Sequence, residues 1–301
     1  MEDDEKAEVG LYLRRAQAED RALVILSMGL PYWIIPLDGL YALVVRRRDA
    51  AAVEEELASY EQEKRTTRRR PPPPKPLFRP AAFPLFLYAW ALGLSFLVQQ
   101  RAPAGWEEAG AAVSGRILAG EWWRTITALT LHADLGHLLA NTVVGIIFGL
   151  ALIPWIGFGW AALGFIVSGA LGNALNALFH YNTEHASIGA STAVFGSLGI
   201  LVGWQTWALL HEHRTVRPLR RRELFIPLGA GFALLAYLGV GTEESRVDIM
   251  AHLFGLLAGV LLGLLAGWGK LPERTPRSFQ KYLALLAFLL PCLAWALALW
   301  S

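Results

Sequence analysis

Four polar side chains stand near the starts of long apolar stretches in this chain. Ser191 follows the segment HASIGA (residues 185–190), His137 and Asn141 stand at the start of an earlier stretch, and His252 lies one turn into a later one. Polar residues at membrane depth are costly and usually serve a function. A serine beside a neutral histidine is an activated nucleophile with its general base. These residues therefore predict acyl-transfer chemistry, provided that the fold brings them together.

Acyl transfer also needs hydrogen-bond donors for the oxyanion that develops in the transition state. His137 and Asn141 are four residues apart, so a helix would place both side chains on one face. The backbone N–H of Ser191 lies at a predicted helix start, where free donors and the helix dipole favour negative charge. We predict that His137, Asn141 and the Ser191 amide form the oxyanion site.

Glycines recur on one face of each helix predicted to carry the reacting pair. Phe195, Gly199 and Gly203 share a face with Ser191, and Gly255, Gly259 and Gly263 share a face with His252. Rows of glycine allow two membrane helices to approach closely. If the two faces meet, the Ser191 hydroxyl comes within hydrogen-bonding reach of His252, and Phe195 can pack on the imidazole.

Each of these residues also has a simpler interpretation. A lone serine in a membrane helix is usually a packing residue, and a lone histidine is usually a hydrogen-bond partner. His132, together with His137 and Asn141, suggests a metal site, but HExxH and nearby carboxylate ligands are missing. Asp248, four residues before His252, is a candidate third triad member, although its place at a wet helix end favours a cap or salt bridge.

The composition indicates a membrane protein that spans the bilayer several times. Of the 301 residues, 54% are hydrophobic and 17% are charged, whereas soluble domains carry about 25% charged residues. The single cysteine, Cys292, excludes an intramolecular disulfide and a cysteine-based metal site. The acidic N-terminus lacks the apolar run of a cleavable signal peptide.

Seven apolar stretches are each long enough to span a bilayer. They are 82–99, 137–155, 157–178, 191–210, 223–240, 248–268 and 280–300. Basic residues concentrate in the connections on one side, which predicts that this side and the N-terminus are cytoplasmic and the C-terminus is extracytoplasmic. The first outer connection, 101–136, contains three tryptophans and is predicted to lie in the membrane interface.

The N-terminal region, residues 1–63, has a different pattern. The segments 21–30, 32–45 and 49–65 predict a helix, a strand pair turning at Asp38-Gly39, and an amphipathic helix. The alternative is a membrane helix over Ala22–Val45, which its two prolines and Asp38 disfavour. A basic, proline-rich linker follows at 64–80 and should be extended. Its basic residues are interpreted as a topology signal that attracts anionic lipid, with no nucleic-acid partner.

Four motifs give this chain a specific resemblance. GASTAVFG (189–196) resembles the serine motif of the rhomboid intramembrane proteases, and HADLGHLLAN (132–141) resembles their HxxxxHxxxN element. AHLFGLLAG (251–259) is similar to their histidine motif, and WWRT (122–125) to the Trp-Arg element of their first outer loop. The four motifs occur in family order over residues 81–268.

The resemblance implies a six-helix catalytic core over 81–268 in an all-α membrane protein, with a Ser191–His252 dyad that lacks an acidic third member. It implies hydrolysis of peptide bonds in or near transmembrane segments of other proteins, without cofactor or metal. Residues 269–301 would be a linker and an additional seventh helix, and residues 1–63 a small α+β cytosolic domain. The expected location is a bacterial cytoplasmic membrane.

Further residues are expected to support the site. Gly189 belongs to the serine motif, and Gly255 and Gly259 belong to the histidine motif. Trp123 and Arg124 are expected to anchor the first outer connection. The chain has Thr192 where the family usually has glycine, which would add bulk beside the oxyanion site. It has Phe195 where tyrosine is common, which keeps a ring against His252 but loses a phenolic hydrogen bond.

Two other functions compete with hydrolysis. A catalytically silent relative would bind membrane-protein clients, but such proteins generally lack the serine or the histidine. A small-molecule transporter would need polar residues at the bilayer midplane, whereas the polar residues here stand near one surface. The segment 241–248 and the adjoining end of the fifth predicted span are candidate gates that would admit water or substrate.

Overall fold

A computed structural model describes residues 5–68, 76–79, 82–103, 105–215, 229–230, 233 and 248–300. The chain divides into two compact units, Met1–Pro74 and Lys75–Ser301. Most of the predicted fifth span, 223–240, and nearly all of the predicted gate, 241–248, lie outside the described residues.

The N-terminal unit is an α+β fold. Its strands are β1 (Lys6–Tyr12), β2 (Tyr32–Leu37) and β3 (Leu40–Arg46), in an antiparallel sheet of order β1-β3-β2, and its helices are α1 (Arg15–Ser27) and α2 (Ala50–Arg68). The predicted hairpin is confirmed, because Asp38 and Gly39 both have positive φ, as a tight two-residue turn requires. The alternative of a membrane helix over Ala22–Val45 is wrong, since this segment contains the end of α1, all of β2 and nearly all of β3.

The core of this unit lies between the sheet and the two helices. Its buried side chains are Ala22, Ile25, Leu43, Val45, Val53 and Leu57. The predicted helices are confirmed, although the prediction at 21–30 overlaps α1 only over 21–27 and the prediction at 49–65 begins one residue before α2. The sequence did not predict β1, because KAEVGLY alternates weakly and its place in the sheet depends on pairing with β3.

The second unit contains long apolar helices. These are α3 (Ala82–Arg101), α7 (Leu135–Ile156), α8 (Phe158–Phe179), α9 (Ser191–Thr215), α10 (Ile249–Trp268) and α12 (Gln280–Trp300). Within the described part of the chain, six helical segments are long and apolar enough to cross a membrane. They correspond to six of the seven predicted spans, so the protein is a multi-pass integral membrane protein.

Short elements connect α3 to α7 and α8 to α9. The first connection contains α4 (Trp106–Gly110), β4 (Ala112–Val113), α5 (Ser114–Leu118) and α6 (Arg124–Thr127), and α11 (Leu271–Arg274) follows α10. Strand β5 (Ala186–Ser187) pairs antiparallel with β4. The first outer loop is therefore attached directly to the segment that leads to Ser191.

The glycine faces of α9 and α10 meet at backbone contact. A Cβ added at Gly255, Gly259 or Gly263 of α10 would run into the carbonyl oxygens of Thr192, Gly196 and Ile200 of α9, respectively. A Cβ at Gly199 of α9 would likewise run into the carbonyl of Leu256. The prediction that these two glycine rows bring their helices together is confirmed.

Helix α12 contacts the rest of the unit near both of its ends. Gln280, which is buried, accepts a hydrogen bond from the Gly159 N–H at 2.7 Å, at the start of α8. Towards the other end, Trp295 stacks on Trp106 with ring centroids 4.4 Å apart and donates to the Thr130 hydroxyl at 2.9 Å. The C-terminal helix thus supports both the α7–α8 turn and the first outer loop.

Candidate active site

Ser191 is the first residue of α9 and follows a backbone turn whose conformation favours glycine. Gly189 has φ +130°, and its N–H donates to the carbonyl of Ala128 at 2.9 Å. An L side chain rarely adopts this φ, so the turn before Ser191 depends on glycine. Ser191 is partly buried, whereas Ala190 before it is fully buried. The segment holds the serine at a helix N-terminus.

His252 lies against the first turn of α9. Its ring is 6% exposed and stacks on Phe195, with centroids 4.7 Å apart and an interplanar angle of 30°. One turn further along α10, the Gly255 backbone lies against the Thr192 carbonyl. Because Phe195 is one turn after Ser191, these two contacts hold the turn of α10 that carries His252 beside the turn of α9 that begins at Ser191.

His137 borders the same small space as the serine hydroxyl. A Cβ added at Gly189 would lie 2.7 Å from Cε1 and 2.8 Å from Nε2 of His137, and 3.6 Å from Oγ of Ser191. At the start of α7, Asp134 caps the helix by accepting the His137 N–H at 2.8 Å. The absence of a side chain at Gly189 therefore leaves room between an imidazole nitrogen and the hydroxyl.

Asn141 is one turn after His137 and is 6% exposed. The backbone carbonyl oxygen of Asn141 accepts a hydrogen bond from the Tyr88 hydroxyl at 2.9 Å, which connects α7 to α3. Its side-chain Nδ2 has no hydrogen-bond partner among the residues that the structure describes. A buried donor without a partner costs about 1–3 kcal/mol, so such groups are retained mainly where they have a function.

The start of α7 also packs against the start of α9. Leu138, between His137 and Asn141, is buried in one cluster with Ala190 and Val194. The two predicted oxyanion side chains thus come from a helix turn that adjoins the serine segment.

His132 is fully buried beside His137. The two rings meet edge to face with centroids 5.2 Å apart. Burial, with a smaller contribution from His137, lowers the pKa of His132 to about 4, so its imidazole is neutral at physiological pH. Within the described residues, no group of three or more His, Cys, Asp or Glu side chains is placed to hold a metal ion.

Asp248 serves as a helix cap, as the sequence favoured, and as a hydrogen-bond partner of His185. Oδ1 accepts the Ala251 N–H at 3.0 Å at the start of α10, while Oδ2 lies 2.6 Å from Nε2 of His185. Burial alone would raise the pKa of Asp248, but these hydrogen bonds and one from Asn176 lower it below 3.8. The sequence did not identify His185 or Asn176, because nothing local indicates their shared partner 63 or more residues away.

Arg124 is buried and holds the first outer loop together. Its guanidinium donates to the carbonyls of Glu108 and Ala111 at 2.6 and 3.1 Å and pairs with the Glu121 carboxylate at 2.5 Å. Trp123 lies directly before α6 as its N-terminal flanking residue. Through these hydrogen bonds, Arg124 connects three positions of the loop to one another.

The methyl group of Thr192 fills a gap between α8 and α10. A Cβ at Gly172 of α8 would lie 2.6 Å from Cγ2 of Thr192, and one at Gly255 would lie 3.1 Å from it. Thr192 itself is 3% exposed. The methyl group therefore packs where two glycines leave space for it.

Replacing Thr192 by glycine should destabilise the protein. The change removes a buried methyl group between Gly172 and Gly255 and puts a flexible residue in the first turn of α9, at a combined cost of about 1–2 kcal/mol. Thermal unfolding in detergent would show a lower midpoint for Thr192→Gly than for Thr192→Val, which keeps the Cγ2 methyl group and replaces the hydroxyl by a second methyl. Equal midpoints would contradict the packing role.

These features define a class: a multi-pass helical membrane protein with a serine at one helix start and a buried histidine on the helix packed against it. A family model described as the Rhomboid domain matches residues 119–269. The chain belongs to the rhomboid family.

Several curated proteins resemble this chain. The rhomboid protease YdcA of Bacillus subtilis is 31% identical over 195 residues, which cover 63% of this chain and 89% of YdcA. The rhomboid protease GluP of the same bacterium is 30% identical over 54% of this chain and 29% of GluP. The mitochondrial RHOMBOID-like protein 6 of Arabidopsis thaliana is 35% identical over 54% of this chain and 52% of its own length. The chain thus spans most of YdcA but about half or less of the other two.

Proposed function

We propose that this protein is an intramembrane serine endopeptidase that uses Ser191 and His252 as a catalytic dyad. The observation that carries the proposal is the stacking of Phe195 on His252, which sets the imidazole beside the helix turn that begins at Ser191. Two bacterial relatives are named as rhomboid proteases. Membership of the family supports a protease, and the contacts around Ser191 support the assignment of the residues.

In the proposed reaction, the neutral imidazole of His252 accepts the proton of the Ser191 hydroxyl as Oγ attacks the carbonyl carbon of a peptide bond. The C–N bond then breaks, and His252 donates the proton to the leaving amine. A water molecule, deprotonated by His252, then attacks the acyl-enzyme ester. The bond between Oγ and the carbonyl carbon breaks, His252 returns the proton to Oγ of Ser191, and the carboxyl product leaves. Each half-reaction thus returns the histidine to its neutral form.

The oxyanion of each tetrahedral intermediate would be stabilised by three donors. These are the His137 ring, the Nδ2 group of Asn141 and the backbone N–H of Ser191. Among the described residues, Nδ2 of Asn141 has no hydrogen-bond partner, which supports this assignment, because such a donor has no existing bond to break when the oxyanion forms.

The proposed substrates are transmembrane segments of other proteins, which reach the site from the surrounding lipid. A segment would have to unwind locally to present a carbonyl to Ser191. The distribution of basic residues supports a cytoplasmic N-terminus and an extracytoplasmic C-terminus. The proposed location is a bacterial cytoplasmic membrane, which the relatives from Bacillus subtilis support.

A fluorophosphonate probe tests the proposed nucleophile directly. The probe should attach covalently to Ser191 in the reconstituted wild type, as mapped by mass spectrometry of the modified peptide, and should not attach in Ser191→Ala. Equal labelling of the two proteins, or attachment at another serine, would overturn the proposal. A wild type that binds membrane proteins without labelling or cleavage would instead indicate a client-binding scaffold.

A further inference from the structure

We propose that Asp248 and His185 form a positioning pair that aligns the helix carrying His252 with the segment carrying Ser191. This inference rests on the proposed dyad and concerns two residues that do not touch the reacting atoms. The juxtaposition behind it is a single carboxylate that binds the start of α10 through one oxygen and the segment before β5 through the other.

Both oxygens of Asp248 are occupied. Oδ1 accepts the Ala251 N–H, and Oδ2 accepts the Nδ2 group of Asn176 at 2.6 Å and lies 2.6 Å from Nε2 of His185. Because an ionised carboxylate has only acceptor sites, Nε2 of His185 must carry the proton in this contact. The carboxylate therefore joins the last turns of α8, the segment before β5 and the first turn of α10.

His185 is itself held firmly. Its ring stacks on His180 with centroids 3.9 Å apart and an interplanar angle of 12°. The backbone N–H of His185 donates to the Ser114 hydroxyl at 3.2 Å, and its backbone carbonyl accepts the backbone N–H of Ser114 at 2.9 Å. The imidazole thus gives Asp248 a fixed partner that is anchored to the first outer loop.

The pair lies close in sequence to both members of the proposed dyad. Asp248 is one helical turn before His252, and the backbone N–H of His252 donates to the backbone carbonyl of Asp248 at 3.2 Å. His185 is six residues before Ser191 and is joined to it through β5 and the Gly189 turn. A displacement at either end of the pair would therefore change the position of one reacting side chain relative to the other.

Small displacements matter for such a reaction, since misplacing reacting groups by about 1 Å can cost about 10²-fold in rate. The glycine contacts between α9 and α10 fix how closely these helices approach, and the Asp248–His185 pair adds a polar tie at the end nearest the dyad. We expect this tie to control the turnover number more than substrate affinity, because a displaced reacting side chain slows the chemical step without removing a contact to the substrate.

The test compares two replacements of His185 in the full-length protein reconstituted in liposomes. His185→Phe keeps a ring to stack on His180 but removes the N–H donor, and should lower kcat for a single-span substrate by about tenfold with little change in KM. The rate of fluorophosphonate labelling at Ser191 should fall in parallel. His185→Gln can place an amide donor near the position of Nε2 and should restore both rates to within about twofold of wild type.

Two controls separate this inference from the proposed function. Arg116→Ala breaks an exposed salt bridge with Glu108 in the connection between α3 and α7. It should leave the rates of cleavage and of fluorophosphonate labelling unchanged. Wild-type rates in His185→Phe, or equal losses in His185→Phe and His185→Gln, would overturn the positioning pair while Ser191-dependent labelling still supported the protease. Loss of Ser191-dependence in the wild type would overturn the protease itself.

Discussion

Replacing His252 by alanine should lower cleavage of a transmembrane substrate by at least about 10³-fold, because the proposed general base is lost. In soluble serine proteases, removal of the histidine alone costs about as much as removal of the whole catalytic set. The same non-additivity is expected here. The double variant Ser191→Ala with His252→Ala should be no less active than either single variant, since the two residues act on one proton transfer.

The measurement is the initial rate of cleavage in liposomes at a fixed ratio of substrate to lipid. His211→Ala is a matched control, because His211 also stacks on an aromatic ring, Trp207, but near the other end of α9. It should cleave at the wild-type rate. Comparable activity in His252→Ala and His211→Ala would show that His252 does not act as the base.

The parts of the fold that follow from local pattern could be predicted from the sequence. The long apolar stretches correspond to α3, α7, α8, α9, α10 and α12, and the Asp38-Gly39 turn gives the β2–β3 hairpin. The meeting of α9 and α10 could also be predicted, because glycines spaced three and four residues apart leave one face of each helix without side chains. In each case the residues that determine the element lie within it.

What the sequence could not predict depends on contacts between distant segments. Strand β1 exists because β3 offers it a partner. The ties from Trp295 to Trp106 and from Gln280 to Gly159 join residues more than 100 positions apart. The Asp248–His185 contact is of the same kind: the sequence favoured a cap or salt bridge for Asp248, but only the folded chain shows that His185 is its partner.

The neighbours of the proposed dyad illustrate the same difference. Phe195 could be placed against His252 from helical spacing alone, and the rings do stack. Thr192 could not be placed in this way, since the space for its methyl group is created by Gly172 on a third helix. A sequence motif indicates which residues belong together, whereas the room around each of them depends on helices that the motif does not contain.

Replacing Asn141 by alanine should lower kcat by about 10²–10³-fold, the usual cost of losing one oxyanion donor. KM should change little, because a hydrogen bond made only in the transition state does not contribute to substrate binding. The fold should tolerate the change, since Nδ2 of Asn141 has no partner among the described residues that could be left unsatisfied.

Asn173→Ala is the matched control for Asn141→Ala. Asn173 is an equally buried asparagine on α8, but its Nδ2 donates to the Thr125 carbonyl at 2.9 Å. Its loss should lower the unfolding midpoint, because that carbonyl is left buried without its donor at a cost of about 1–3 kcal/mol. Asn141→Ala should therefore be the less active of the two variants and Asn173→Ala the less stable. If Asn141→Ala instead lost stability and kept its kcat, Asn141 would be a packing residue and the oxyanion would have to be bound by His137 and the Ser191 amide alone.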